Sequence, residues 1–118
     1  MKYLMMIYGN TEKWSSLPQE EWKALTEKVD AYSRPLLESG EMLSGFGLAD
    51  ADRARVVRSR PGGTIVTDGP YLETKEYMAS GYLLDVASEA RALEIAATHP
   101  YAAEESIELW PIEHEARA

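Results

Sequence analysis

The chain has 118 residues, no cysteine, and 12 Lys plus Arg against 20 Asp plus Glu, a net charge of −8 at pH 7. That length fits one domain with a single core, and a hydrophobic fraction of 45% excludes wholesale disorder. The acidic balance speaks against nucleic acid and anionic membrane surfaces, which need clustered Lys and Arg, and the missing cysteine removes disulfides, thiolate metal sites and cysteine nucleophiles. No stretch approaches the roughly 20 apolar residues of a membrane span. The apolar run at 3–8 is too short for a signal-peptide core, so a cytoplasmic protein is expected.

Residues 3–8 form a continuous apolar run rich in β-formers, which predicts a strand buried on both faces. Gly9-Asn10-Thr11 breaks it, and a loop with Trp14 follows. The first helix is expected over 18–39. Ser16 and Gln19 have capping-box spacing, and Glu20 and Glu21 suit the positive end of the helix dipole. Trp22, Leu25, Val29, Tyr32 and Leu36 recur at three and four and make one apolar stripe. Pro35 predicts a kink or a break before the last turn, and Gly40 supplies the stop.

A strand is expected over 41–48, where Gly45 and Gly47 suggest a bulge or a close backbone approach. Residues 55–60 and 64–67 read as the arms of a hairpin joined through Pro61-Gly62-Gly63. Another strand follows over 79–86. Ser88 caps a second helix from residue 89 to about Thr98, with Ala90, Leu93, Ala96 and Ala97 as its inner face, and Pro100 ends it. The last strand, 105–112, points Ile107 and Leu109 one way and Trp110 and Ile112 the other. Residues 1–112 then make one domain, and 113–118 a charged C-terminal tail.

Strand, helix, strand, hairpin, strand, helix, strand is an α+β order. It matches the ferredoxin-like βαββαβ pattern with an added hairpin, an antiparallel sheet and both helices on one face. Strands apolar on both faces leave one sheet face to cover, and a second copy of the chain is the expected cover, giving a homodimer.

The stretch Val66-Thr67-Asp68-Gly69-Pro70-Tyr71-Leu72-Glu73-Thr74-Lys75-Glu76 resembles the signature of the DGPF branch of the YCII-related proteins, with Tyr71 where that branch usually has phenylalanine. The opening Met1-Lys2-Tyr3-Leu4-Met5-Met6-Ile7-Tyr8, the helix exit Ser39-Gly40-Glu41, Gly81-Tyr82 and the ending Ile107-Glu108-Leu109-Trp110-Pro111 extend the resemblance over most of the chain. It implies a dimeric α+β barrel with a cleft between sheet, loops and partner. It also implies a regulatory setting, because many DGPF-type proteins are associated with extracytoplasmic-function sigma factors. Enzymatic relatives in the wider group carry a histidine on the first helix and Asp-Pro-Tyr after the second. Here the first helix has no histidine, and His99-Pro100-Tyr101 stands after the second, which counts against carrying over their lyase-type activity.

Asp68-Gly69-Pro70-Tyr71 suits a turn, in which Asp68 makes an Asx hydrogen bond and Gly69 takes positive φ. Placed at a cleft rim, Asp68 would serve as a general base or polar anchor, provided that burial raised its pKa. His99 suits a helix C-terminus through the dipole; as a catalyst it needs a carboxylate partner, and Asp68 is the candidate. Tyr71, Glu73, Lys75 and Tyr82 are the candidate ligand-binding residues. His114, between Glu113 and Glu115 in the tail, lacks the preorganisation of a metal site, so no metal is expected. Gly45-Phe46-Gly47 begins like a dinucleotide fingerprint but lacks its third glycine and following helix. No P-loop or G-x-S-x-G elbow occurs, so no cofactor is expected. The leading expectation is a protein that binds a small molecule in a cleft of its homodimer. The alternatives are a small enzyme using Asp68 and His99 for acid–base chemistry, and a non-catalytic interaction module with a protein partner such as a sigma factor.

Overall fold

A computed structural model of the chain describes residues 1–9, 16–71 and 76–118. The elements in order are β1 (Lys2–Gly9), α1 (Gln19–Ser39), β2 (Met42–Gly47), a 3₁₀ turn (Ala51–Arg53), β3 (Arg55–Arg60), β4 (Gly63–Asp68), β5 (Tyr77–Asp85), α2 (Glu89–Ala97) and β6 (Ile107–Pro111). β2, β5, β1 and β6 lie side by side in that order as one sheet. Every neighbouring pair in it is antiparallel. β3 and β4 form a separate two-stranded sheet. The architecture is therefore α+β.

Successive side chains of a strand point to opposite faces. Tyr3, Met5 and Ile7 of β1 are buried, and so are Tyr82 and Leu84 of β5. They share one cluster with Leu36 of α1 and with Ala92 and Ile95 of α2, so both helices cover the same face. Each fully buried Leu or Ile in such a cluster contributes roughly 1.5–3 kcal/mol. The residues between them, Leu4, Met6 and Tyr8, are only half-buried. The expectation that β1 is buried on both faces therefore gives way to one buried and one half-open face in the single chain. Leu4 pairs with Leu83 on one side and Trp110 on the other, which puts these three on the half-open face. Trp110 is 57% exposed there. Ile107 and Leu109 pack against the core, as their alternation predicts.

α1 runs without interruption through Pro35, so the predicted break is absent. Pro35 and Ala31 both lie on the exposed side, so the Ala31 carbonyl that proline leaves without its donor is open to solvent. At the helix start Pro18, which has no side-chain oxygen, holds the cap position in place of the predicted Ser16. At the other end Gly40 closes the helix with φ 82° and its N–H on the Leu37 carbonyl. Ser88 caps α2 by accepting from the Arg91 N–H at 3.1 Å. The inner face of α2 differs from expectation. Ala92 and Ile95 are buried and Ala96 is half-buried, while Ala90, Leu93 and Ala97 are exposed. Small alanines on both sides of this short helix leave its phase ambiguous in sequence, and the larger Ile95 sets it. Arg91, with two hydrogen bonds of 2.8 and 2.9 Å to the Glu41 carboxylate, ties α2 to the corner between α1 and β2.

The tail after β6 carries no regular structure, but Glu115 pairs with Lys2 at 2.7 Å. Trp14, Glu73 and Lys75 lie outside the described residues.

Candidate functional site

α1 holds the sheet by its C-terminal half. Of its apolar stripe only Leu36 is fully buried, while Leu25, Val29 and Tyr32 are half-buried and Trp22 is exposed. The first half of the helix leaves a cavity of about 650 Å³ between itself and the β2–β5 side of the sheet. Trp22, Val29 and Leu37 form the helix wall; Met42 and Tyr82 form the sheet wall, and Leu48 and Tyr101 also line the cavity. Its polar lining among the described residues includes Thr26, Asp30, Ser33, Asp50 and Ser80, with no Lys, Arg or His. A volume of this size suits a small organic molecule.

Gly45 shapes the floor. Gly45 and Tyr82 are register partners across β2 and β5. A Cβ at Gly45 would lie 2.7 Å from the Tyr82 ring, so glycine is what lets that ring lie flat over β2. The neighbouring pair is reversed: Phe46 lies over Gly81, where a Cβ would meet its ring at 2.6 Å. The close approach expected from glycines inside this strand is thus realised at Gly45, and β2 carries a register irregularity between Met42 and Ser44.

Tyr82 is fixed from behind by His99, the one buried polar residue of the described core, 3% exposed. The Tyr82 hydroxyl and His99 Nε2 are 3.1 Å apart. The Tyr101 backbone N–H donates to His99 Nδ1 at 3.0 Å. A nitrogen that accepts carries no hydrogen, so the neutral ring bears its proton on Nε2. His99 therefore donates to Tyr82, and the tyrosine oxygen accepts. The rings of Tyr32, Tyr82 and Tyr101 surround the imidazole with centroids 4.8, 5.4 and 5.1 Å away. Burial lowers the His99 pKa from 6.5 to about 4, and burial also raises that of Tyr82. Both groups are neutral at physiological pH. The imidazole is not held as a dipole-stabilised cation, contrary to the reading of His99 as an ordinary helix-end residue: with its ring turned inward, desolvation outweighs the helix dipole.

His99 does not need the Tyr82 hydroxyl hydrogen, because its own Nε2–H is the donor between them. Ser80 Oγ is buried, lies close enough to favour the Tyr82 phenolate, and makes no well-aligned hydrogen bond among the described residues.

Asp68 stands elsewhere. It ends β4, with Gly69 at φ 78° and its N–H on the Ala54 carbonyl, a tight exit from the hairpin. The Asp68 side chain is 91% exposed and pairs with Arg55 at 3.4 Å. Tyr71 is exposed too, with the Arg58 guanidinium 5.4 Å from its ring centre. Asp68 and Tyr71 share a shallow hollow of about 330 Å³ on the hairpin. The expected site is therefore split: Asp68 and Tyr71 lie on the hairpin, Tyr82 and His99 in the body. Neither Asp68 nor His99 bonds the other, and the partners of His99 are tyrosines and a backbone amide. Sequence reasoning missed Ser80 and Tyr101 as neighbours of Tyr82. The signal for Tyr101 was the His99-Pro100-Tyr101 turn; Ser80 gave none beyond sharing a strand face with Tyr82.

Among the described residues no group of three His, Asp or Glu side chains is placed to hold a metal, and no helix is long and apolar enough to cross a membrane.

These features define a small α+β protein with an open cavity between one helix and its sheet. The YCII-related domain matches residues 1–115, and the chain belongs to the YCII-related family. It is 33% identical over 96 residues to an uncharacterised protein of Rhizobium meliloti (strain 1021), over 81% of this chain and 77% of that protein.

Proposed function

We propose that this protein is a DGPF-type member of its family that binds a small molecule as a homodimer. The cavity of about 650 Å³ beside Tyr82 carries this reading. It is largely apolar, has a few polar groups and adjoins a buried residue of shifted pKa, the combination expected of a ligand site. The residues 66–76 support the DGPF branch. The strand order β2-β5-β1-β6 supports a ferredoxin-like sheet with the hairpin inserted after its second strand. Exposed Phe46 and Trp110, with half-buried Leu4 and Leu83, give the open sheet face the apolar character of a dimer contact. A cytoplasmic, sigma-factor-linked regulatory setting belongs to the same proposal and rests on the resemblance alone. An acid–base reaction through Asp68 and His99 has no comparable support, because each is paired with other groups.

Native mass spectrometry of the purified protein tests this reading. The expected species has twice the chain mass and retains a non-covalent adduct, or gains one from a panel of small aromatic compounds. A bare monomer that takes up no compound from the panel would overturn it.

A further inference from the structure

Resting on the cavity as a ligand site, we infer that it selects an uncharged ligand with an apolar body and a hydrogen-bond acceptor, such as a ketone oxygen, held by the Tyr82 hydroxyl. The hydrogen-bond chain sets the direction. The Tyr101 N–H occupies His99 Nδ1 at 3.0 Å, so His99 donates through Nε2 to the Tyr82 oxygen at 3.1 Å. A phenol whose oxygen already accepts is left with a hydrogen to give, and accepting from His99 strengthens it as a donor. Ser80, on the cavity wall, adds a second hydroxyl hydrogen. Ser80 Oγ is buried without a well-aligned partner among the described residues, so it does not take up the Tyr82 hydrogen, which is left to give. A buried donor without an acceptor is costly, and a ligand carbonyl relieves it.

Charge selects against the obvious rival, a carboxylate. The described lining holds Asp30 and Asp50 and no cation. Asp30 is already paired with Arg34 at 2.6 Å, so an anion here would meet the charge of Asp50 and find no cation in the described lining to neutralise it. Trp22, Val29, Met42 and Leu48 offer the body of the ligand an apolar surface.

Three probes of one shape test this: naphthalene, 2-acetylnaphthalene and 2-naphthoate, titrated against the full chain by fluorescence and calorimetry. The ketone is expected to bind at least about tenfold tighter than the hydrocarbon, as one well-made buried hydrogen bond provides. The naphthoate is expected to bind more weakly than either. In Tyr82→Phe the ketone should lose its advantage over naphthalene, and in Ser80→Ala it should keep most of it. Equal binding of ketone and hydrocarbon to the wild-type protein, or a preference for the naphthoate, would overturn the inference and leave the cavity standing as a ligand site. If none of the three binds, the ligand site itself falls. The wild-type comparison decides the matter even if Tyr82→Phe does not fold, since it needs no variant.

Discussion

In β1 every second residue is buried beneath two helices, whereas no residue of β4 is buried at all. The same chain thus holds two kinds of β-structure. The four-stranded sheet has a core, and that core turns ordinary side chains into tuned ones: His99 is kept neutral, its tautomer is set by a backbone amide, and Tyr82 is left with a directed hydrogen. The hairpin has only its own register. It leaves Val57, Ile65, Val66 and Tyr71 exposed and Asp68 in water. A lone two-stranded hairpin has little stability of its own. The contrast explains why an aspartate with an attractive sequence setting makes a poor acid–base candidate while a tyrosine inside a strand is the stronger candidate for a site residue. Chemistry needs a fixed, partly dry environment, which the body supplies.

The largest test of that contrast is truncation on each side. Leu84→Ala, fully buried, is expected to cost about 2–5 kcal/mol, read by denaturant unfolding. Ile65→Ala on the hairpin is expected to stay within about 0.5 kcal/mol. A comparable loss at Ile65 would mean that the hairpin is covered, and the contrast would disappear.

Adding atoms is a milder probe. Gly45→Ala forces a Cβ against the Tyr82 ring, which His99 prevents from moving away, and should cost about 1–3 kcal/mol. Gly47→Ala, with nothing within 4 Å, should change little. Thermal melts of the two variants side by side measure the difference.

The tuned histidine adds a pH dependence. His99 titrates at about 4 in the folded protein and at 6.5 when exposed. Between those values the unfolded chain takes up the proton and the folded chain does not. Its contribution is therefore present in full above pH 6.5 and declines as pH falls toward 4. By pH 5.5 the wild type should have lost roughly 1.4 kcal/mol through this group. His99→Gln should be less stable at neutral pH but lose less between pH 7.5 and 5.5. Parallel pH profiles for the two proteins would refute the assignment.

Smallest of all is Asp68→Asn. Its only described partner is Arg55 across 3.4 Å at an exposed surface, so unfolding free energy should change by less than about 0.5 kcal/mol. Binding in the Tyr82 cavity should not change.

Much of this fold is legible from local signals. The hairpin bounds follow from Pro61-Gly62-Gly63, the α2 start from Ser88, and the α1 end from Gly40, because turns and caps depend on a few adjacent residues. The failures are equally local in cause. Ser16 and Gln19 had the right spacing for a capping box but lost the cap position to Pro18. Ala90 and Leu93 fitted an inner face that the helix turns toward solvent. For the site, Tyr82 and His99 were both visible as candidates, but not as partners. They are 17 residues apart, and nothing in the pattern shows that one imidazole nitrogen meets a backbone amide and the other a phenol.

By itself the sequence determined an α+β chain with two helices, a four-stranded pattern and an inserted hairpin, and the family it belongs to. Those features rest on periodicity, turn chemistry and a long shared motif, all of which are written in neighbouring residues. Only the tertiary structure decided that Asp68 lies in water and Tyr82 beside a cavity, and that His99 is a neutral donor. Burial and hydrogen-bond direction are properties of surroundings assembled from distant parts of the chain.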